Sequence, residues 1–550
     1  MESVSLAANK APRGNLRIVL ALTVCIPVVW KLFSFVHSRL TSPLRKLPGP
    51  PGAHWLFGNL KQLREAHDRV ALDEWAEKYG SAVNFGAFMN SPTLFTLDPR
   101  AIHYVLTHSM DYRKPESARR SLAKLLGEGL VVVEGEQHRQ QRRILNPAFG
   151  PVQIRALTDI FVRKATELGD VWLAEVSLSE PARIDVFEGL TSMTLDVIGL
   201  AGFCQDLGSL TRNEEPGELS AALNEILTVP EKISPLIVLQ AMSPVFDVFK
   251  DETLRRFDRA QEFIRRTGLQ LIAERQAAIL REATEKDIDL GDSLKSRDLL
   301  TLLLKANMAK DIPDSQRLSD ENILNQVLTF LVAGHETTST ATAWCLFGLS
   351  QSPRVQSKLR EELLGVETDS PTMDELSALP YLDMVVRETL RFHAPVASTT
   401  RVATKDDTIP LGTSFTDLDG KVRNSNHVNA GTEILIPISA VNTSKALWGD
   451  DAHGFIPERW ANPPESVSSI PGIWSHMLTF LGGPRACIGY RFAIIEMKAL
   501  IFILIRAYEF SMAVEPAEIK KTPGLVERPM VVGQRGRSQL PLLVKQYGTS

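Results

Sequence analysis

The chain has 550 residues, 61 of them basic and 65 acidic, for a formal charge of −4, and 44% of its side chains are apolar. A balance this close to neutral gives no electrostatic footing for nucleic acid, and so apolar a composition excludes a disordered or collagen-like chain. The 4 cysteines, Cys25, Cys204, Cys345 and Cys487, stand far apart with no CxxC pair, which excludes a disulfide scaffold and offers no structural zinc spacing. Length allows three or four domains of about 150 residues, or one large enzyme domain.

After a polar tail at 1–17, residues 18–36 read IVLALTVCIPVVWKLFSFV, with one charge, Lys31, near the end where its stem can snorkel. At 1.5 Å per residue this run fits a bilayer core of ~30 Å. Trp30, Phe33 and Phe35 close it with bulky groups where a signal peptide would carry small ones, so the expectation is an uncleaved transmembrane anchor. Lys10, Arg13 and Arg17 precede the run while Arg39, Arg45 and Lys46 follow it, so the positive-inside rule inclines only slightly toward a cytosolic body. Residues 37–52 form a linker ending in Leu47-Pro48-Gly49-Pro50-Pro51-Gly52, read as a stiff spacer.

From 53 to 550 the pattern is mainly α with a small β part. Alternation at 82–88 and 92–97 predicts a hairpin. Apolar positions at helical spacing predict helices over 152–178, 188–203, 252–285, 319–350, 352–364 and 380–392, with cap-type side chains at Ser319 to Asn322. Segments 286–298 and 412–431, rich in Gly, Asp, Ser and Asn, read as solvent loops, and 432–438 reads as a strand ended by Pro437. The stretches near 110–130 and 221–250 read as the walls of a pocket for an apolar guest.

Near the C-terminus, Phe480-Leu481-Gly482-Gly483-Pro484-Arg485-Ala486-Cys487-Ile488-Gly489 precedes a helical pattern running through Arg506. Two glycines and a proline force an irregular loop in which backbone N–H groups and the next helix's N-terminus can favour a thiolate. A lone thiolate without His or Cys neighbours suits a heme iron better than tetrahedral zinc. The string resembles the heme-binding signature of the cytochrome P450 family, Phe-x-x-Gly-x-Arg-x-Cys-x-Gly, at every fixed position. The resemblance implies Cys487 as axial iron ligand, Arg485 on a heme propionate, Phe480 packed near the sulfur, and Gly489 admitting the helix close to the porphyrin.

Ala333-Gly334-His335-Glu336-Thr337-Thr338 lies within the apolar helix 319–350. A zinc-protease reading of His335-Glu336 needs a second histidine at 339, where Ser339 stands. On the family's pattern Thr337 is the hydroxyl that hydrogen-bonds bound oxygen, Glu336 the acid of the proton path, and Gly334 the gap that makes room for oxygen. Glu388-Thr389-Leu390-Arg391 puts opposite charges on one helix face and resembles the family's Glu-x-x-Arg motif, with Arg459 in Pro457-Glu458-Arg459-Trp460 as its third member. Their implied role is structural. His138-Arg139-Gln140-Gln141-Arg142-Arg143 stands where the family carries Trp-x-x-x-Arg: Arg142 keeps the arginine and His138 replaces the tryptophan, while Arg139 and Arg143 form an exposed basic face or meet an acidic redox partner. Arg401 is a further candidate for a propionate.

The resemblance implies one heme-thiolate monooxygenase domain behind the anchor, in the endoplasmic reticulum with its body cytosolic, inserting one atom of O2 into an apolar molecule such as a terpenoid or other secondary metabolite, in the style of fungal members. No GxGxxG or P-loop is present, so electrons from NADPH come through a partner, a membrane-bound flavoprotein reductase. The rival readings are a heme-thiolate isomerase or dehydratase working without external electrons, and a non-catalytic heme-binding sensor.

Overall fold

The computed structural model describes residues 39–52, 54–60, 62, 70–178, 181–210, 218–227, 236, 240, 244–285, 298–308, 317–522, 524–534 and 537–548. The anchor at 18–36 lies outside the described residues, as do 286–297 and much of 221–250.

Eight helices frame the site: α1 Gly135–Leu145, α2 Pro151–Leu178, α3 Val186–Phe203, α4 Glu252–Glu285, α5 Asp320–Ser350, α6 Pro353–Leu364, α7 Pro380–Phe392 and α8 Tyr490–Ala507. The helices expected from periodicity are all present with bounds within two residues. Helix α5 opens as its sequence predicts, Ser319 accepting from the Asn322 N–H at 3.2 Å. It is buried on nearly every side, as a helix apolar around its whole circumference must be. Helix α3 crosses it, and although α3 is long and apolar enough to span a membrane, most of its residues are packed in the protein core.

The strands are β1 Ala82–Gly86, β2 Pro92–Thr96, β3 Tyr112–Arg113, β4 Ala182–Asp185, β5 Thr399–Ala403, β6 Asp407–Thr416, β7 Val422–Val428, β8 Glu433–Ile436, β9 Tyr508–Met512, β10 Ile519–Lys521, β11 Pro529–Val531 and β12 Pro541–Gln546. The main sheet runs β1-β2-β8-β5-β3. Its first pair is the expected hairpin, with Val83 opposite Phe95, and β8 fills the expected strand before Pro437. A second sheet runs β4-β12-β9, while β6 pairs with β7 and β10 with β11.

One expectation changes. The loop read at 412–431 is mostly the β6–β7 hairpin, turned by Asp417, whose carboxylate accepts from the N–H groups of Asp419 at 3.0 Å and Lys421 at 2.8 Å. Its polar composition reflects one solvent face, while Ile409, Leu411 and Val428 are buried on the other. The proline segment, read as a stiff spacer, packs on the body: Leu44 and Leu47 are buried, and Asn84 N–H donates to the Pro48 carbonyl at 3.0 Å. A side chain at Gly49 would start 1.8 Å from the Asn84 carbonyl oxygen, so only glycine permits that approach.

Candidate active site

The cysteine loop is built by its glycines. Gly483 has φ +68, and a Cβ there would lie 2.6 Å from the Leu106 carbonyl oxygen; one at Gly482 would lie 1.8 Å from that of Pro471. Cys487 N–H donates to the Phe480 carbonyl at 2.9 Å, closing the loop, and the Phe480 ring packs between Trp474 and Tyr490 with centroids 5.7 and 6.0 Å away. Cys487 is open to a water-sized probe although protein surrounds it at depth, so its opening is an interior space. Burial raises its thiol pKa; the Gly489 N–H and the Arg142 charge oppose this and lose. Backbone donors alone therefore do not make Cys487 a thiolate, and a bound metal cation is what would deprotonate it.

Cations converge beside this loop. Arg485 donates to the Val133 carbonyl at 2.6 Å and pairs with Glu134, and Arg142 donates to the Ala486 carbonyl at 2.5 Å. Arg401, on β5, is buried, and among the described residues its acceptors are the Thr399 hydroxyl and Thr400 carbonyl, at 2.6 and 2.9 Å. Burial brings its pKa down to about 10; Arg485 also falls to about 10, from burial and then the charges of Arg119 and Arg113. Lys114 is pushed well below the usual lysine range by burial and by Arg485, Arg401 and Arg119, with Glu134 3.7 Å away. His138 is buried and drops to about 4, through burial and then Lys114 and Arg142. Among these residues Glu134 is the one carboxylate. Uncompensated positive charge at this depth is expensive unless an anion sits among it.

On the central helix the side chains of Ala333 and Thr337, one turn apart, remain accessible on an otherwise buried segment, while His335 and Glu336 are buried. Thr337 donates its hydroxyl proton to the Ala333 carbonyl at 2.9 Å. Glu336 turns away to a buried pair with Arg528, whose Nη2 lies 2.7 Å from Oε2. Helix α8, which follows the cysteine loop, packs on α5.

A family model described as "Cytochrome P450" matches residues 48–531. Cytochrome P450 monooxygenase 205 of Postia placenta is 53% identical over 97% of this chain and 99% of its own length, and monooxygenase 128 of the same fungus is 52% identical over 94% and 95%. Cytochrome P450 monooxygenase claW of Ampulloclitocybe clavipes is 35% identical over 94% of this chain and 96% of its own.

The chain belongs to the cytochrome P450 family. It is a heme-dependent monooxygenase of mainly helical fold, and heme is its cofactor. The residues present fit that group: Arg142, Arg401, Arg485 and Lys114 stand together with Glu134 as the one carboxylate among them, and heme carries two propionates. Space fits as well, since a Cβ at Gly489 would meet protein no nearer than 3.8 Å, at Phe149, so the room beside the loop is not claimed by packing.

The expected charge network is present and reaches the cysteine loop. The Glu388 carboxylate accepts from Arg391 Nε at 2.9 Å and Nη2 at 2.8 Å, and from Arg459 Nε at 3.0 Å. Arg391 Nη1 also donates to the Asn442 carbonyl at 3.0 Å. Asn442 in turn receives the Leu478 N–H at 2.8 Å and donates to Thr479 Oγ1 at 2.8 Å, two and one residues before Phe480.

Several details differ from the sequence reading. A Cβ at Gly334 would lie 2.8 Å from Ile198 Cδ1, so the glycine serves the crossing of α3 and α5, a need the sequence reading did not foresee. Cys204 is exposed at the left-handed end of α3, while Cys345 is buried. Arg139 and Arg143 lie on the outer face of α1, Arg139 paired with Glu136 at 2.5 Å. The stretch 110–130 is not an apolar wall, since it carries Lys114 and the buried, unpartnered Nε atoms of Arg119 and Arg120. Lys114, Glu134 and Arg528 were missed; the density of basic residues at 113–120 was the available signal for the first.

Proposed function

We propose that Cys487 ligates the heme iron, that Arg142, Arg401 and Arg485, joined by Lys114 and His138, hold the propionates, and that Thr337 and Glu336 handle protons on the opposite side. The observation that carries this reading is an inward-opening cysteine beside buried cations that outnumber the one carboxylate among them, Glu134. Bound there, heme supplies oxygen activation, and a thiolate ligand favours O–O cleavage.

The chain's own groups do the rest. Thr337 Oγ1 holds a proton on the accessible stripe of α5 and can swing from the Ala333 carbonyl toward a guest. Glu336 is held by Arg528, so its carboxyl takes part only after leaving that pair. Phe149 and Phe330, edge to face with centroids 5.4 Å apart, make an apolar wall that excludes water. An accessible threonine at that place favours a monooxygenase over an isomerase, which has no need of protons on oxygen.

The finer reading is an enzyme anchored by residues 18–36 in the endoplasmic reticulum, its single catalytic domain spanning 53–550 on the cytosolic side. It takes electrons from an NADPH-dependent flavoprotein reductase, for which exposed Arg139 and Arg143 offer a basic docking face, and oxidises an apolar terpenoid or related secondary metabolite. Reduced-CO difference spectroscopy tests the core of this. The wild type should show the thiolate-type Soret band and Cys487→Ser should lose it while keeping its fold. A Soret band unchanged in that variant overturns the assignment. Incubation with reductase, NADPH and a library of apolar metabolites should give mass gains of one oxygen; conversion without NADPH or O2 would sink the monooxygenase reading.

A further inference from the structure

A cleft of about 330 Å³ opens between residues 39–52 and the β1–β2 hairpin, at the low end of the size range of ligand sites. A local turn builds its first wall. Residues 39–41 are helical, and a 3-10 turn, Pro43–Lys46, follows with the Leu44 N–H donating to Ser42 Oγ at 3.3 Å. Buried Leu44 and Leu47 pin that turn to the body and leave Arg45 between them exposed. Arg39 and Arg45 both line the cleft, and among the described residues each donates only to a backbone carbonyl. Arg39 Nη1 reaches that of Met89 at 3.4 Å and Arg45 Nη1 that of Leu40 at 3.0 Å. The neighbouring Lys46 is instead paired with Asp419 at 2.9 Å, away from the cleft. On the hairpin side the Asn84 amide makes no side-chain hydrogen bond among the described residues, its Oδ1 being buried without a donor. No carboxylate is among the described residues that line the space, so it is a positive concavity. Its rim is apolar. Leu40, Trp55 and Phe57 are exposed, and the turn at 86–90 gathers them: the Met89 N–H donates to the Leu56 carbonyl at 2.5 Å, and Phe57 meets Phe88 edge to face with centroids 6.4 Å apart.

We propose that this cleft binds the phosphate of an anionic phospholipid, with Arg39 and Arg45 supplying charge, the Asn84 amide a hydrogen bond, and Leu40, Trp55 and Phe57 an apolar rim for the acyl side. A guanidinium fork matches phosphate oxygens, and aromatic side chains favour the membrane interface. The proposal rests on the reading that residues 18–36 span the bilayer. That apolar run ends at Val36, so at helical rise Arg39 stands about 5 Å beyond it, within a headgroup layer of about 5–8 Å. The exposed rim favours a lipid phosphate over a free one.

The test uses full-length, heme-loaded protein reconstituted in phosphatidylcholine bilayers, with spin-labelled phosphatidic acid or spin-labelled phosphatidylcholine as the probe. Electron spin resonance reads the lipid fraction slowed at the protein. Wild type should prefer phosphatidic acid about fivefold or more, the weight of an arginine near an anionic headgroup, and Arg39→Gln with Arg45→Gln should bring this below about twofold. Asn84→Asp, isosteric, should do the same by placing an anion in the cleft. Lys46→Gln lowers the net charge by the same unit outside the cleft and should leave the preference intact. No preference in the wild type overturns the site, and so does an equal effect of Asn84→Asp and Lys46→Gln, which would mean diffuse attraction alone. If Asn84→Asp does not fold, the double arginine variant, altered at two exposed positions, decides: an unchanged preference overturns the site. Inorganic phosphate added at constant ionic strength should leave the slowed lipid in place; displacement would mean a site for free phosphate and overturn the lipid assignment. If the wild type fails to float with vesicles of phosphatidylcholine alone, the anchor reading has failed rather than the cleft, which then stands or falls by flotation with vesicles containing phosphatidic acid.

Discussion

Replacing Glu388 by alanine should loosen the cysteine loop from a distance. Its carboxylate accepts from Arg391 Nε and Nη2 and Arg459 Nε at 2.8–3.0 Å, from Trp460 Nε1 at 3.0 Å, and from the Ile456 N–H at 2.8 Å. Without it, Arg391 keeps only the carbonyls of Asn442, Ala452 and Gly454 and is left as a buried cation, while Arg459 retains Asp451 at 2.8 Å. Deleting one partner of a buried pair costs about 3–5 kcal/mol, and several lost bonds at a net of about 1 kcal/mol each give the same order. Against a typical stability of about 5–15 kcal/mol, that is about a fifth at the least and all of it at the most. Glu388→Gln keeps one acceptor oxygen but turns an amide donor toward the guanidiniums, so it should fall between wild type and alanine. Equilibrium urea unfolding followed by tryptophan fluorescence, with Trp460 among the reporters, measures the loss, and heme content after gel filtration measures its effect on the loop. A Glu388→Ala variant that unfolds within about 1 kcal/mol of wild type, the range of an exposed ion pair, would refute the reasoning.

Three further outcomes follow from the site. Lys114→Met removes a buried amine that shares its one carboxylate, Glu134, with Arg485, so it should raise the urea midpoint of heme-free protein yet weaken heme retention; the same sign in both states would refute the propionate cradle. His138 has a folded pKa of about 4 against an ordinary 6.5, so the unfolded chain takes up the proton first: its contribution to stability is whole above pH 6.5 and is lost as pH falls toward 4. In heme-free protein His138→Phe should flatten the urea midpoint between pH 7 and 5, and an unchanged slope would contradict the buried neutral ring. Gly334→Ala should cost about 1–3 kcal/mol by overpacking, and a double-mutant cycle should recover most of that cost when it is measured in an Ile198→Ala background. No recovery would mean that the glycine serves something other than that crossing.

Sequence by itself determined what near neighbours decide. The helices at 252–285 and 380–392 have the bounds their periodicity predicts, because long amphipathic runs satisfy their own backbone bonds and leave one face to bury. The cysteine loop was legible for a similar reason: Gly482, Gly483 and Pro484 restrict the local backbone, and the requirement is written beside Cys487 itself. Tertiary structure decided the rest. Burial of Lys114, the pairing of Glu336 with Arg528 and the approach of Gly334 to Ile198 join residues from distant parts of the chain. No local propensity encodes them. A polar hairpin at 407–428 was hidden likewise, since its strands owe their pairing to backbone bonds and to a buried face shared with the body, not to an apolar run of their own.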